Sequence, residues 1–387
     1  MGGPYWLHKI VYAILVPLVW VFCKLRFNLK MALPPRAKGP CLIVANHNTD
    51  FDMLFVGCSF WRHMYFVGSE HIYRWGFLSK IIWLFFAPIA RFKGSTDGAS
   101  AMGILKALRK GRNVCIFAEG NRSFNGLTTP IHPTIGKLAK MGKANLVIYR
   151  LEGGYFTSPR WSTTPRRGQV KSVLTRMYTA EELKSMTPEE INAVVAEHIH
   201  EDAYALQDKR HVCYWGKKLA EGLETALYIC PKCGGIQTLK GKEDDFFCEK
   251  CGLKVHYTEY GYLQGENVPF RTITEWDAWQ SEEMVKLVEN AADGVLFSDE
   301  KQHLKRIDAD HNAEELCEAT LSMTRTALTI GSYTFPLEEI SSLTMYGRQN
   351  LIFTVGSENY EIKSDHFRSA RKYLRAYELL TDKPVTL

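Results

Sequence analysis

The sequence predicts an α/β domain, a mixed sheet flanked by helices, preceded by an apolar N-terminal helix. After it come a small cysteine-knuckle module and a β-barrel-like α+β domain. Three observations lead there. Two short apolar runs, 41–45 and 114–118, each empty into a polar stretch. Runs of five residues rich in β-branched side chains are too short for helices and fit buried strands. Four cysteines fall in two Cys-x2-Cys pairs, and residues 294–363 break into short alternating runs separated by Gly-Ser and Gly-Ser-Glu-Asn turns.

At 387 residues the chain is long enough for two or three domains with their own cores. Its charge is unevenly placed. Residues 1–180 carry 25 Lys/Arg against 6 Asp/Glu, and the remainder carries 23 against 36. A basic first half implies an anionic partner: a membrane, a nucleic acid or a phosphorylated substrate. Several of the ten cysteines sit in apolar strands, which favours a reducing compartment over a disulfide framework.

The first element covers residues 1–30. Its uninterrupted apolar run, 10–23, is 14 residues long and contains Pro17. A full span needs about 20. Lys24, Arg26 and Lys30 follow it. The expectation is a membrane-docking helix in one leaflet, its cations at anionic headgroups. That makes the chain peripheral or monotopic, at the cytoplasmic face of a membrane. A signal peptide fits less well, because no small-x-small cleavage pattern follows.

The strand at 41–45 opens into Asn46-His47-Asn48-Thr49-Asp50-Phe51-Asp52. Ligand chemistry in open α/β sheets concentrates at such strand ends. His47 and Asp52 would lie on different faces of a helix, so a turn must bring them together. Asp50 is the expected N-cap of a helix starting near Phe51. The pair offers general-base catalysis: the imidazole takes a proton, and the carboxylate fixes its tautomer and stabilises the imidazolium. The strand at 114–118 opens into Glu119-Gly120-Asn121-Arg122-Ser123. Gly120 permits close backbone approach, and Arg122 offers a planar fork for phosphate or carboxylate. Between the two lies an apolar segment ending in Arg91-Phe92-Lys93.

The joint pattern resembles the glycerophospholipid acyltransferases of the 1-acylglycerol-3-phosphate acyltransferase type. It rests on Asn46, His47, Asp52, Arg91, Phe117, Glu119, Gly120, Arg122 and Ser123, in order and spacing. Asn121 stands where that family usually has threonine, and 145–150 lacks the proline of its fourth block. The resemblance covers roughly residues 1–205, with the acyltransferase domain at 31–205. It implies transfer of a fatty acyl group from acyl-CoA or acyl carrier protein to the free hydroxyl of a lysophospholipid, 1-acylglycerol-3-phosphate first among them. His47 and Asp52 would be catalytic. Asn46, Arg91, Lys93, Glu119, Gly120, Asn121, Arg122 and Ser123 would bind substrate. No catalytic cofactor beyond the acyl donor is implied. The alternative is a non-enzymatic membrane-associated scaffold or lipid-binding protein with a degenerate acyltransferase domain.

The domain continues with a strand near 65–68, an aromatic-rich helix at 75–86 and an amphipathic helix at 97–109. A strand at 147–151, a basic loop with Arg160, Arg166 and Arg167, a strand at 170–178 and a helix at 188–206 complete it. In the basic loop the expectation is contact with acidic lipid or donor phosphates.

Residues 206–265 hold Cys230-Pro231-Lys232-Cys233 and Cys248-Glu249-Lys250-Cys251, 14 residues apart and each followed by glycine. Two such knuckles fit a tetrahedral zinc ribbon. Four thiolates close the shell, so the zinc would be structural. The knuckles sit in the acidic half, and with the apolar N-terminus this argues against nucleic acid as a partner. Residues 266–387 read as a helix at 274–291, short antiparallel strands, and a closing helix at 365–380 after a Ser364 cap. That order resembles a pleckstrin-homology-like domain.

Overall fold

The computed structural model describes residues 3–69, 77–91, 98–291, 294–308 and 312–383. The chain forms two compact units. One is Met1–Pro159 with Pro165–Trp215; the other is Arg160–Thr164 with Gly216–Leu387.

The first unit is built on seven strands: β1 (Lys30–Met31), β2 (Cys41–Ala45), β3 (Met64–Ser69), β4 (Ile89–Arg91), β5 (Asn113–Phe117), β6 (Asn145–Glu152) and β7 (Lys171–Tyr178). Their order across the sheet is β1-β7-β6-β2-β5-β3-β4. β7 runs antiparallel to β6 and every other pairing is parallel, so the sheet is mixed. Ala45 lies level with Phe117 on one side and Tyr149 on the other. The C-terminal ends of β2, β5 and β6 therefore open at one edge.

β2 is buried on both faces, which is why its five residues are all apolar. Leu42 and Val44 face a layer with Ile104 and Leu108 of helix Gly98–Arg109, Leu138 of helix Thr134–Gly142, and Ile191, Val195 and Ile199 of helix Pro188–Ile199. Cys41, Ile43 and Ala45 face Phe55 and Val56 of helix Asp52–Phe60 and Cys23 and Phe27 of helix Tyr5–Phe27. Each large apolar side chain removed from water in these layers is worth roughly 1.5–3 kcal/mol.

Helix Tyr5–Phe27 is 23 residues long, extending past the apolar run at both ends, and Pro17 lies inside it. His8, Tyr12, Val16, Cys23 and Phe27 are buried along one stripe. His8 is held inside by Tyr65 Oη at 3.0 Å and the Leu84 carbonyl at 3.1 Å. The other side exposes Trp6, Ile10, Ile14, Leu18 and Leu25. By length and composition the helix is apolar enough to cross a membrane.

Four expectations need correction. The helix after β2 begins at Asp52, its cap position is Phe51 with no side-chain cap bond, and Asp50 instead reaches Arg122. The helix expected at 188–206 is two: Pro188–Ile199, started by a Thr187/Glu190 capping box, and Ala203–Arg210, capped by Asp202. Arg160 and Arg166 are buried, not presented to lipid; Arg160 Nε donates to the Gly347 carbonyl at 2.8 Å. The closing helix is Arg371–Thr381, and Ser364 ends a strand. Residues 75–76 and 97, at the starts of the helices expected there, lie outside the described residues; the helices begin at Phe77 and Gly98.

In the second unit, Leu239–Lys242, Asp245–Cys248, Lys254–Tyr257 and Leu263–Gln264 form an antiparallel meander. Helix Ile273–Asn290 follows, opened by a Thr272/Glu275 capping box. Seven antiparallel strands come next: Val295–Ile307, Ala313–Thr324, Ala327–Ile330, Tyr333–Pro336, Ile340–Tyr346, Asn350–Val355 and Glu358–Ser364. Each pairs with its sequence neighbour, except the fourth with the fifth, and the first also pairs with the seventh. Their order in the sheet is 4-3-2-1-7-6-5. Tyr373, Leu374 and Tyr377 of the last helix are buried.

Candidate active site

The two polar stretches meet at the open edge of the sheet because β2 and β5 are parallel neighbours in register. The His47 ring stacks on Phe117, the last residue of β5, at 4.5 Å between centroids and 16° between planes. Asp52 Oδ2 lies 2.8 Å from His47 Nδ1. Four donors converge on the Asp52 carboxylate: His47 Nδ1, the Asn48 amide at 2.6 Å, and the Thr49 amide and hydroxyl, both at 2.9 Å. The turn anticipated between His47 and Asp52 is thus made by Asp52 itself. An acceptor-only carboxylate makes Nδ1 the protonated nitrogen and leaves Nε2 its lone pair. Asp52 is fully buried, whereas the His47 side chain is 23% exposed. A base reachable from solvent, held by a carboxylate that is not, is suited to taking a proton from a bound hydroxyl.

The second stretch supports this loop. Glu119 is buried; its Oε1 accepts the His47 amide at 2.7 Å, and its Oε2 accepts the amide and hydroxyl of Thr129 at 2.6 and 2.9 Å. Burial pushes its pKa up to about 7 against the pull of these N–H and O–H groups. Gly120 takes φ +75°, which lets its amide fold back to the Phe117 carbonyl at 3.1 Å. Ser123 donates its amide to the His47 carbonyl at 3.0 Å and accepts the Gly126 amide at its hydroxyl. Asn121 is buried beside them. Arg122 Nη1 donates to Asp50 Oδ2 at 2.7 Å. The Asp50 side chain is 72% exposed, so water screens the pair from that side.

Asn46 belongs to a second support. Its side chain exchanges two hydrogen bonds with the Leu151 backbone, at 2.7 and 3.0 Å, and its amide also points to Glu201 at 3.2 Å. Glu201 and Asn48 were not singled out from the sequence. Asn48 Nδ2 donates to Glu201 Oε2 at 2.6 Å, and the Gly153 amide donates to Oε1 at 2.9 Å. Burial pushes the Glu201 pKa up to about 8. A signal for its placement was present in Asp202, an N-cap residue that restarts a helix one position later. Arg91 ends β4, two strands from β5 in the sheet. Its side chain and all of Lys93 lie outside the described residues.

In the second unit Cys230, Cys233, Cys248 and Cys251 bring their sulfurs within 4.8 Å of one another and could hold a metal ion. The Cys230–Cys251 and Cys233–Cys248 sulfur separations are 3.7 and 3.8 Å. A tetrahedron of sulfurs about 2.3 Å from a zinc ion has edges of about 3.8 Å, which these two separations match. Gly234 and Gly252, at φ +66° and +70°, close the two knuckles by donating their amides to the carbonyls of Cys230 and Cys248. A Cβ would find open space at either, so backbone conformation is what asks for glycine there.

Residues 25–151 match the profile of the acyltransferase family. No curated protein matches the chain. Among solved structures, the chain is similar to the crystal structure of the 1-acyl-sn-glycerophosphate (LPA) acyltransferase, PlsC, from Thermotoga maritima. The identity is 14%, the TM-score 0.43, and the match covers 52% of this chain and 81% of that one.

Proposed function

We propose that this chain, whose residues 25–151 carry an acyltransferase-family domain, moves a fatty acyl group from acyl-CoA or an acyl carrier protein to the free hydroxyl of a lysophospholipid, 1-acylglycerol-3-phosphate first among them. The observation that carries the reading is the buried Asp52 carboxylate 2.8 Å from Nδ1 of a solvent-reachable His47. His47 Nε2 takes the proton of the acceptor hydroxyl, and the oxygen attacks the thioester carbonyl. The tetrahedral intermediate collapses, the C–S bond breaks, and the thiolate leaves with the proton held on His47. Asp52 keeps the imidazole in the accepting tautomer and stabilises the imidazolium. General-base help of this kind is worth about 10²–10⁴-fold. Positioning and oxyanion stabilisation supply the remainder.

Arg122 reads the acceptor phosphate by exchanging Asp50 for it, with Gly120, Asn121 and Ser123 shaping the turn beside it. Arg91 and Lys93 stay candidate phosphate contacts on the sequence resemblance alone. Both oxygens of Glu119 are engaged by protein donors, which supports a role in holding His47 more than in touching substrate. Asn46 supports the loop through Leu151. Cys230, Cys233, Cys248 and Cys251 would hold a structural zinc ion, whose closed thiolate shell braces the second unit. The apolar outer face of helix Tyr5–Phe27 would sit in one leaflet, because its inner face is committed to the domain along the whole helix. The chain is then peripheral or monotopic at the cytoplasmic face, meeting anionic lipid.

Thiol release from acyl-CoA against a panel of acceptors tests the assignment. Lysophosphatidic acid should outperform a neutral monoacylglycerol, and Arg122→Ala should erase that preference by raising KM for the phosphorylated acceptor. An acceptor preference unchanged in Arg122→Ala removes its phosphate role. Turnover confined to another lysolipid keeps the chemistry and replaces the acceptor.

A further inference from the structure

Glu201 lies beyond the family match at residues 25–151 and on none of the stretches that point to catalysis. It sits in the break between helices Pro188–Ile199 and Ala203–Arg210, directly behind the His47 loop. We propose that Glu201 is a positioning residue for acyl transfer, fixing the two residues that flank His47 so that the imidazole meets the acceptor hydroxyl. The proposal rests on reading His47–Asp52 as the catalytic base.

The side chains on either side of His47 share one acceptor. Asn46 Nδ2 and Asn48 Nδ2 both reach Glu201 Oε2, at 3.2 and 2.6 Å, and both also reach the Leu151 carbonyl, at 3.0 and 3.3 Å. Glu201 Oε1 takes the Gly153 amide at 2.9 Å. One carboxylate thus ties the loop after β2 to the end of β6. Its backbone is pinned in turn: the Thr128 hydroxyl accepts the Glu201 amide at 2.8 Å, and the Thr128 amide donates to the Glu201 carbonyl at 3.0 Å. The next residue, Thr129, holds Glu119 Oε2, and Glu119 Oε1 holds the His47 amide. The result is a closed circuit. Glu119 grips the His47 backbone, Glu201 grips both of its neighbours, and Thr128-Thr129 fixes the two carboxylates to each other.

A fully buried carboxylate is expensive, and only a full set of donors offsets it. Three N–H donors aimed at two oxygens are such a set. An alanine there would strip a partner from all three N–H groups. A glutamine would keep one oxygen for both asparagines but turn its own NH2 toward the Gly153 amide.

The test measures kcat and KM of full-length Glu201→Ala, Glu201→Gln and Glu201→Asp with acyl-CoA and lysophosphatidic acid. It adds a thermal melt and amide exchange of residues 46–52. An ångström of lost alignment costs about a hundredfold, so Glu201→Ala should lose about that much in kcat with KM within about threefold. Glu201→Gln should recover part of the loss, and exchange over 46–52 should speed up while β2 stays protected. Should Glu201→Ala fail to melt cooperatively, Glu201→Asp carries the test: it keeps the carboxyl group but shortens its reach, and a low kcat at normal KM is expected. A folded Glu201→Ala or Glu201→Asp with wild-type kcat and wild-type exchange overturns the proposal. So does a Glu201→Gln no better than a folded alanine variant. Silence of the wild type with every donor and acceptor would instead refute the acyltransferase reading, and the exchange data would still decide whether Glu201 orders the loop.

Discussion

His47 and Asp52 meet because one carboxylate collects the amides of the turn that separates them, so the residue that orients the base also builds its loop. Asp52→Asn tests that double duty. Nδ1 and both turn amides share one oxygen, so an asparagine that keeps those bonds places its NH2 on the Thr49 hydroxyl and loses the charge that stabilises the imidazolium. A fall in kcat of about 10²–10⁴-fold is expected with little change in the melting temperature; unaltered kcat would detach Asp52 from the chemistry. The two buried glutamates give a second expectation. Their folded-state pKa values, about 7 for Glu119 and about 8 for Glu201, stand above the ordinary 4.5. A raised carboxyl pKa means the folded state binds the proton more tightly. Its stabilising contribution is complete below 4.5 and is lost as pH rises toward 7 and 8. Each group sets a slope of up to about 1.4 kcal/mol per pH unit in that window. Thermal melts of Glu201→Gln between pH 5 and 8 should therefore fall less steeply than those of wild type; parallel curves would contradict the burial argument. The meeting of His47 with Asp52 and the Glu119–Ser123 turn were legible because each lies within a few residues of a strand end. Glu201 was not, since its contacts come from a helix break far along the chain, and His200-Glu201-Asp202 reads locally as an ordinary polar helix surface.

At the scale of elements, the cysteine knuckles were the most legible feature, because ligand spacing is local and the turn geometry demands glycine at a fixed place. Metal analysis should find one zinc ion per chain. A third of the roughly 10 kcal/mol typical of structural zinc would lower the melting temperature by about 10 °C on Cys248→Ser or chelation. An unchanged melt in a metal-free protein would remove the structural zinc. The long hairpin of the β domain was less legible. In strand Val295–Ile307, Gln302 and Leu304 face inward while Glu300, Lys301 and Arg306 face out, so a charged outer row masked more than half of the strand. Tyr333–Pro336 was missed altogether, being four residues long and ending in proline at a sheet edge. The first helix was visible as apolar, but its true length depended on His8, a polar residue accepted into the interior only through Tyr65 and Leu84.

At the scale of the whole molecule, the charge asymmetry and the exposed apolar helix face point the same way, to an anionic membrane. Anionic vesicles should bind the protein more tightly than neutral ones, and the difference should shrink as salt rises and the Debye length falls from about 10 Å at 0.1 M toward about 3 Å at 1 M. Replacing Ile10, Ile14 and Leu18 together by serine should release the protein from vesicles while leaving the buried stripe of the helix in place. Vesicle binding that survives this change would move the membrane contact elsewhere. Every role proposed for the first unit depends on acyl transfer by His47. Its most direct measurement is thiol release from acyl-CoA with lysophosphatidic acid, wild type beside His47→Ala, with the acylated product identified by mass spectrometry. Wild type should give product and a folded His47→Ala none above background. Product from His47→Ala at the wild-type rate would remove His47 from the chemistry.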